Sequence, residues 1–156
     1  MIKAGFARVD VTPALGAPLS GYFYARYADG VLDPIQLNAL AFGNGTDTAI
    51  IIACDFIGMV LNKSNEMRAA IAARTGVPAD HVMLCCLHQH TSIRIGDRGG
   101  VRNATSFDDG DYMGVLVRKF ADVAQMAIDD MSEAEVGTAE EQAVREIAFV
   151  RRYWLE

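Results

Sequence analysis

Residues 3–11 read as a first strand, and Thr12-Pro13 stops it because proline has no N–H to give a ladder. Two further strands are predicted over residues 35–42 and 48–56, joined by Gly43-Asn44-Gly45-Thr46-Asp47. Asn-Gly between apolar runs is a strong hairpin signal, so this pair is antiparallel. Ala49-Ile50-Ile51-Ile52-Ala53-Cys54 is apolar throughout, which predicts a central strand covered on both faces. Residues 62–74 place Met67, Ala70 and Ile71 at helical spacing, with Asn62 or Ser64 as N-cap and Gly76 as the stop. A strand over residues 81–87 follows. The longest helix is predicted over residues 111–131, with an apolar stripe of Tyr112, Val115, Leu116, Phe120, Val123, Ala127 and Met131. Strands over residues 133–138 and 144–154 complete the chain.

The resulting order, β-β-β-α-β-α-β-β, defines an α/β fold: one domain over residues 1–156, a mixed sheet with both helices on one face. That arrangement leaves the second sheet face bare, as half of an α-β-β-α sandwich. A second copy of the chain (a homodimer), or the remainder of a longer chain, is the expected cover.

Two loops are long. Residues 13–30 carry Gly16, Pro18, Gly21, Tyr22, Phe23, Tyr24, Tyr27 and Gly30, and long loops in compact domains are often functional. Tyr22 and Tyr24 are candidates for a pocket mouth. Residues 89–110 hold Arg94, Arg98, Gly99, Gly100 and Arg102, a composition open to an anion-binding nest or to plain solvation.

Composition narrows the function classes. The 156 residues are 51% hydrophobic and 22% charged, ordinary for a globular domain. A net charge of −6 and a pI near 5.0 lack the basic stripe of nucleic-acid binders. No apolar run has the ~18–20 residues of a membrane span, and no signal-peptide core opens the chain, so a cytoplasmic location is expected. Cys54, Cys85 and Cys86 are odd in number and make no disulfide framework; Cys85 and Cys86 read as small buried residues on opposite strand faces.

The candidate chemistry centres on Leu84-Cys85-Cys86-Leu87-His88-Gln89-His90-Thr91-Ser92. An apolar strand here runs out into a polar loop with two of the three histidines. A His-x-His pair can grip one metal ion or one oxyanion, or simply be solvated. Asp55 ends an apolar strand, where carboxylates serve either chemistry or a turn. Arg94 is a candidate for oxyanion stabilisation. No Gly-x-Ser-x-Gly nucleophile elbow is present.

Six motifs occur in order: Gly5-Phe6-Ala7-Arg8-Val9-Asp10-Val11-Thr12-Pro13, Pro18-Leu19-Ser20-Gly21-Tyr22, Gly30-Val31-Leu32-Asp33-Pro34, Cys54-Asp55-Phe56-Ile57-Gly58, Leu87-His88-Gln89-His90-Thr91-Ser92 and Phe149-Val150-Arg151-Arg152-Tyr153-Trp154. Their order and spacing resemble the N-terminal part of the neutral/alkaline (non-lysosomal) ceramidase family. The resemblance implies a mixed α/β domain that hydrolyses an amide at a zinc ion held by two histidines, a glutamate and a tyrosine. It places His90 as one metal ligand; His88 beside it is a second metal-site candidate, and Asp55 and Arg94 are catalytic candidates from their positions alone. The family's other ligand histidine falls at Leu32, and leucine cannot bind zinc. The remaining ligands lie downstream of residue 156 in the family, so residues 1–156 by themselves are not expected to hydrolyse ceramide. Two functions follow: a ceramidase-like, metal-dependent amide hydrolase of an unnamed small-molecule substrate, or a non-catalytic α/β domain that dimerises through its sheet and binds a small polar or anionic ligand.

Overall fold

Asn44 makes the turn on which the sheet is registered. Its side-chain oxygen accepts the N–H groups of Thr46 and Asp47, each at 2.8 Å, and Gly45 takes a φ of 94°. That left-handed angle is open to glycine without a Cβ penalty. The computed structural model describes residues 1–96 and 110–142. In chain order its strands are β1 (Lys3–Asp10), β2 (Pro18–Leu19), β3 (Arg26–Tyr27), β4 (Gln36–Gly43), β5 (Thr48–Cys54), β6 (Gly58–Met59), β7 (Val82–Cys86), β8 (Arg94–Ile95) and β9 (Ser132–Glu133). The helices are α1 (Leu61–Thr75) and α2 (Gly110–Asp129).

Five strands form one mixed sheet in the order β7-β5-β4-β1-β9. The β4–β5 hairpin and the β1–β4 pair are antiparallel, whereas β5 and β7 are parallel, with α1 between them in the chain. The fold is therefore the expected mixed α/β sheet with two helices. The strand expected over residues 133–138 is only Ser132–Glu133, paired with Lys3 and Ala4. The strand expected over residues 144–154 lies outside the described residues.

Both helices pack against the face carrying Leu37, Ala39, Ala41, Ile50, Ile52 and Cys54, which are buried with Met67, Ile71, Leu116, Phe120 and Val123. On the longest helix the stripe differs from the expected one. Val115 is exposed, while Met113 and Ala124 are buried, because α2 lies across both β1 and β4 and needs a wider apolar face. Neither Asn62 nor Ser64 caps α1; Val60 holds that position without a side-chain bond. Gly76 ends the helix at φ 75°, its N–H donating to Ala72 O.

The opposite face is bare among the described residues. Phe6, Leu40, Ile51 and Met83 lie in register across β1, β4, β5 and β7, and Phe6 and Met83 are 66% and 57% exposed. Strand β5 is interior to the sheet, but only alternate residues are buried; no described element covers its second face. Cys85 and Cys86 are each half-buried, because among the described residues strand β7 is an edge of the sheet.

The Asp10-Val11-Thr12-Pro13 stretch is a built turn. Asp10 Oδ1 accepts the Thr12 N–H at 2.7 Å and the Thr12 hydroxyl at 2.6 Å, and Thr12 Oγ1 accepts the Ile35 N–H at 2.9 Å. Tyr112 of α2 donates its hydroxyl to Val11 O, so the helix start is tied to the same turn. Burial, and then the Asp10 charge, push the Tyr112 phenol above its ordinary pKa. The two Thr12 bonds hold the Asp10 carboxyl below its ordinary value. A lowered carboxylate adds stability above its unfolded pKa and loses it as pH falls through the folded one. Acid titration of unfolding is therefore expected to show a loss of stability below about pH 4 that is smaller in Asp10→Asn. Equal acid slopes in the two proteins would remove Asp10 from the account.

Among the described residues no helix is long and apolar enough to cross a membrane.

Candidate functional site

Parallel pairing of β5 with β7 brings two chain exits side by side: Cys54 lies opposite Cys86, and Asp55 and His88 follow just beyond. The ladder continues past the strands, with Leu87 N–H donating to Cys54 O at 3.0 Å and His88 N–H to Phe56 O at 3.1 Å. His88 then turns the chain, at a φ of 63° that side-chain-bearing residues seldom adopt. Such a backbone costs on the order of 1–3 kcal/mol and persists where neighbouring bonds over-determine it. Here the ring helps, because His88 Nδ1 lies 2.8 Å from Ile57 O. A carbonyl only accepts, so Nδ1 carries the proton and Nε2 keeps its lone pair when the ring is neutral.

His90 stands beside it, ring centroids 5.3 Å apart and nearly perpendicular. Tyr22 meets His90 edge-on at 5.9 Å, Tyr24 lies 5.7 Å from Tyr22, and the Arg26 guanidinium sits 4.2 Å over the Tyr22 ring. Arg26 also reaches His90 O at 3.5 Å. The loop backbone touches the imidazole directly: a Cβ on Gly21 would fall 2.5 Å from His90 Cγ, and Gly21 has a φ of 104°. The aromatic loop thus supplies Tyr22 and Tyr24 to the histidine pair. Arg26 was not a sequence candidate, since a single arginine among tyrosines carries no spacing signal.

Asp55 is bound on three sides. Its Oδ2 accepts the Gln36 N–H at 2.9 Å, its own N–H donates to Gln36 O at 3.1 Å, and its carbonyl accepts Gln89 Nε2 at 2.6 Å. It joins the end of β5 to the start of β4 and also lines a cleft of about 620 Å³. Leu15, Leu19, Leu32 and Ile93 give that cleft apolar walls, while Gln89 and Ser92 add polar groups. Arg26 lines the cleft and stacks on Tyr22, linking it to the imidazoles, which are not themselves lining residues. Ser92 is buried, and its hydroxyl has no partner among the described residues.

Arg94 lies in β8, opposite Gly58, with its Nε buried and without a partner among the described residues. It does not line the cleft. The nest expected at Arg98, Gly99, Gly100 and Arg102 lies outside the described residues. Beneath the site, a hydrogen bond to Cys86, together with burial, holds the Cys54 thiol well above the ordinary thiol range. The same bond lowers the Cys86 thiol, against an opposing contribution from burial. Cys54 has one S–H proton, and Ile52 O at 3.5 Å is its alternative acceptor.

A zinc ion needs three or four protein ligands. The described residues bring two imidazoles together, and no group of three or more His, Cys, Asp or Glu converges among them. Leu32 lines the cleft fully exposed and offers no donor. The described residues therefore do not amount to a zinc site.

A mixed α/β layer with paired imidazoles at the carboxyl ends of parallel strands is the class of structure these elements define. No family model matches the sequence, and no curated protein matches it. Solved structures do match. The neutral ceramidase from Pseudomonas aeruginosa superposes with a TM-score of 0.70 at 14% identity, over 83% of this chain and 22% of that one. A structure described as ceramidase complexed with C2 gives 0.68 at 14% identity, over 83% of this chain and 21% of that one. The chain shares their fold and spans about a fifth of their length.

Proposed function

We propose that this chain forms the histidine-bearing layer of a ceramidase-like amide hydrolase acting on a small-molecule substrate, with His88 and His90 at its reactive centre. The observation that carries the proposal is the His88–His90 pair at the ends of β5 and β7, in a fold shared with neutral ceramidase structures. In this reading the free Nε2 of His88 takes a proton from the attacking water, its orientation fixed by the Ile57 carbonyl. The cleft holds the apolar part of the substrate, and Asp55 and Gln89 keep its rim in place. Arg26, which lines the cleft as Arg94 does not, is the guanidinium that neutralises charge developing on the amide oxygen. A resident metal would be held by His90 with donors beyond the described residues, and His88 would stay outside that ligand set, because its one free ring nitrogen serves as the base.

The test is zinc content per chain, on untagged protein purified without chelator, for the wild type and His90→Ala. About one zinc per chain, lost in the variant, is expected if further donors complete the site. No metal in either protein removes the zinc-hydrolase reading.

Leu32 and the two-donor count favour a second reading: a non-catalytic domain that binds a small polar or anionic ligand and pairs through its bare sheet face. Sedimentation equilibrium distinguishes it. A dimer that dissociates in Met83→Asp is its expected result, and a monomer at all concentrations ends it.

A further inference from the structure

Cys54 and Cys86 meet directly across the parallel β5–β7 pair, and both face the helices. Adjacent strands lie ~4.8 Å apart, inside the usual Cα separation of a disulfide of about 4.4–6.8 Å. All three cysteines are free thiols, and the third cannot join this pair: Cys85 lies opposite Ala53 on the other sheet face. Cys54 is fully buried, whereas Cys86 keeps partial exposure. We propose that Cys54 and Cys86 are a redox-active dithiol that small-molecule disulfides oxidise to a reversible cross-strand disulfide beneath Asp55 and His88.

The order of events follows from access. The Cys86 sulfur, as thiolate, attacks one sulfur of the external disulfide; that S–S bond breaks and one small thiol leaves. The Cys54 sulfur then attacks the Cys86 sulfur of the mixed disulfide, and its proton passes to the second small thiolate, which leaves as the thiol. Two protein thiols are oxidised by two electrons, and one small disulfide is reduced to two thiols. Side chains on neighbouring parallel strands stand farther apart than the ~3.8 Å Cβ spacing of a relaxed disulfide, so the bond is strained and readily reduced. Because Cys54 precedes Asp55 and Cys86 lies two residues before His88, the bond clamps the two exits from which the site is built. The inference is independent of the hydrolase reading, since it rests on the strand register alone.

The experiment uses the full chain, first reduced and freed of reductant, then treated with excess oxidised glutathione. Free thiols are counted after denaturation, and disulfides are located by peptide mass spectrometry. The expected result is the loss of two of the three thiols, with Cys54 joined to Cys86, Cys85 left free, and full recovery on adding reduced glutathione. In Cys54→Ala, a stable glutathione adduct is expected at Cys86. Three surviving thiols in the wild type, an adduct mainly at Cys85, or a wild-type adduct at Cys86 that never closes onto Cys54 each overturn the proposal. The wild-type mapping decides it even if the variant folds poorly.

Discussion

Gly5→Ala is expected to destabilise the protein by roughly 3 kcal/mol, the upper end of what overpacking costs. The reason is where the new methyl would fall. A Cβ at Gly5 would lie 2.2 Å from Ala127 O, 2.6 Å from Met131 N and 2.8 Å from Asp130 C. All three are backbone atoms at the end of α2, so no rotamer change relieves the contact; the helix must lift from β1. Helix and strand are also pinned there by the Asp130 carboxylate, which accepts the Phe6 N–H at 2.9 Å. For a domain of this size the melting temperature should fall by about 6–12 °C. Gly114→Ala is the matched control, because no described residue lies within 4 Å of its added Cβ in the second turn of α2. There the same substitution should stabilise by about 0.5–1 kcal/mol through helix propensity. Urea unfolding of the pair measures both. Equal midpoints would mean that α2 does not rest on β1 as closely as the contact requires.

The second large effect is on the site. Gly21→Ala places a methyl 2.5 Å from His90 Cγ and 2.6 Å from His90 Nδ1, at a backbone angle that already disfavours a side chain. The exposed imidazole swings away from Tyr22 and His88, and any binding or activity carried by His90 should fall about 10–100-fold, as when a ligand's supporting contact is removed. Gly16→Ala separates the two causes. Gly16 has a φ of 87° but no described residue within 4 Å of its added Cβ, so it reports backbone strain alone. Imidazole nitrogen NMR signals should move for His90 in Gly21→Ala and stay put in Gly16→Ala. Unmoved signals in both would dissolve the link between the aromatic loop and the histidine pair.

Local patterns carried most of the architecture. Asn44-Gly45 named the hairpin because the side chain itself builds the turn, and Gly76 named the helix end because only its left-handed angle was needed. The same holds for His88 and His90, which leave a strand as expected. What local pattern could not carry was coverage. Whether Ile51 faces a layer or solvent depends on what packs there, and an all-apolar run looks alike in both cases. The meeting of Tyr22, Arg26 and His90 is likewise a product of loop closure, with no period in the sequence to mark it. The Asp55 carboxylate shows a third kind of ambiguity. Its position suggested chemistry or a turn, and the structure gives it a backbone bond to Gln36 together with a place on the cleft wall.

The order in which the layers are synthesised has its own consequence. The β1–β4–β5 unit is complete once residue 54 has been made, and its hairpin needs only local closure. The face that it later hides, with Leu37, Ala39, Ile50 and Ile52, receives its main cover from α2, which begins at Gly110. The seat of that helix is Gly5, in the first strand of the sheet to be made. A growing polypeptide therefore carries an apolar sheet without its main cover through the synthesis of α1, β7 and the residues between β7 and α2. During that interval it is the emerging chain, not the finished fold, that most needs protection from self-association.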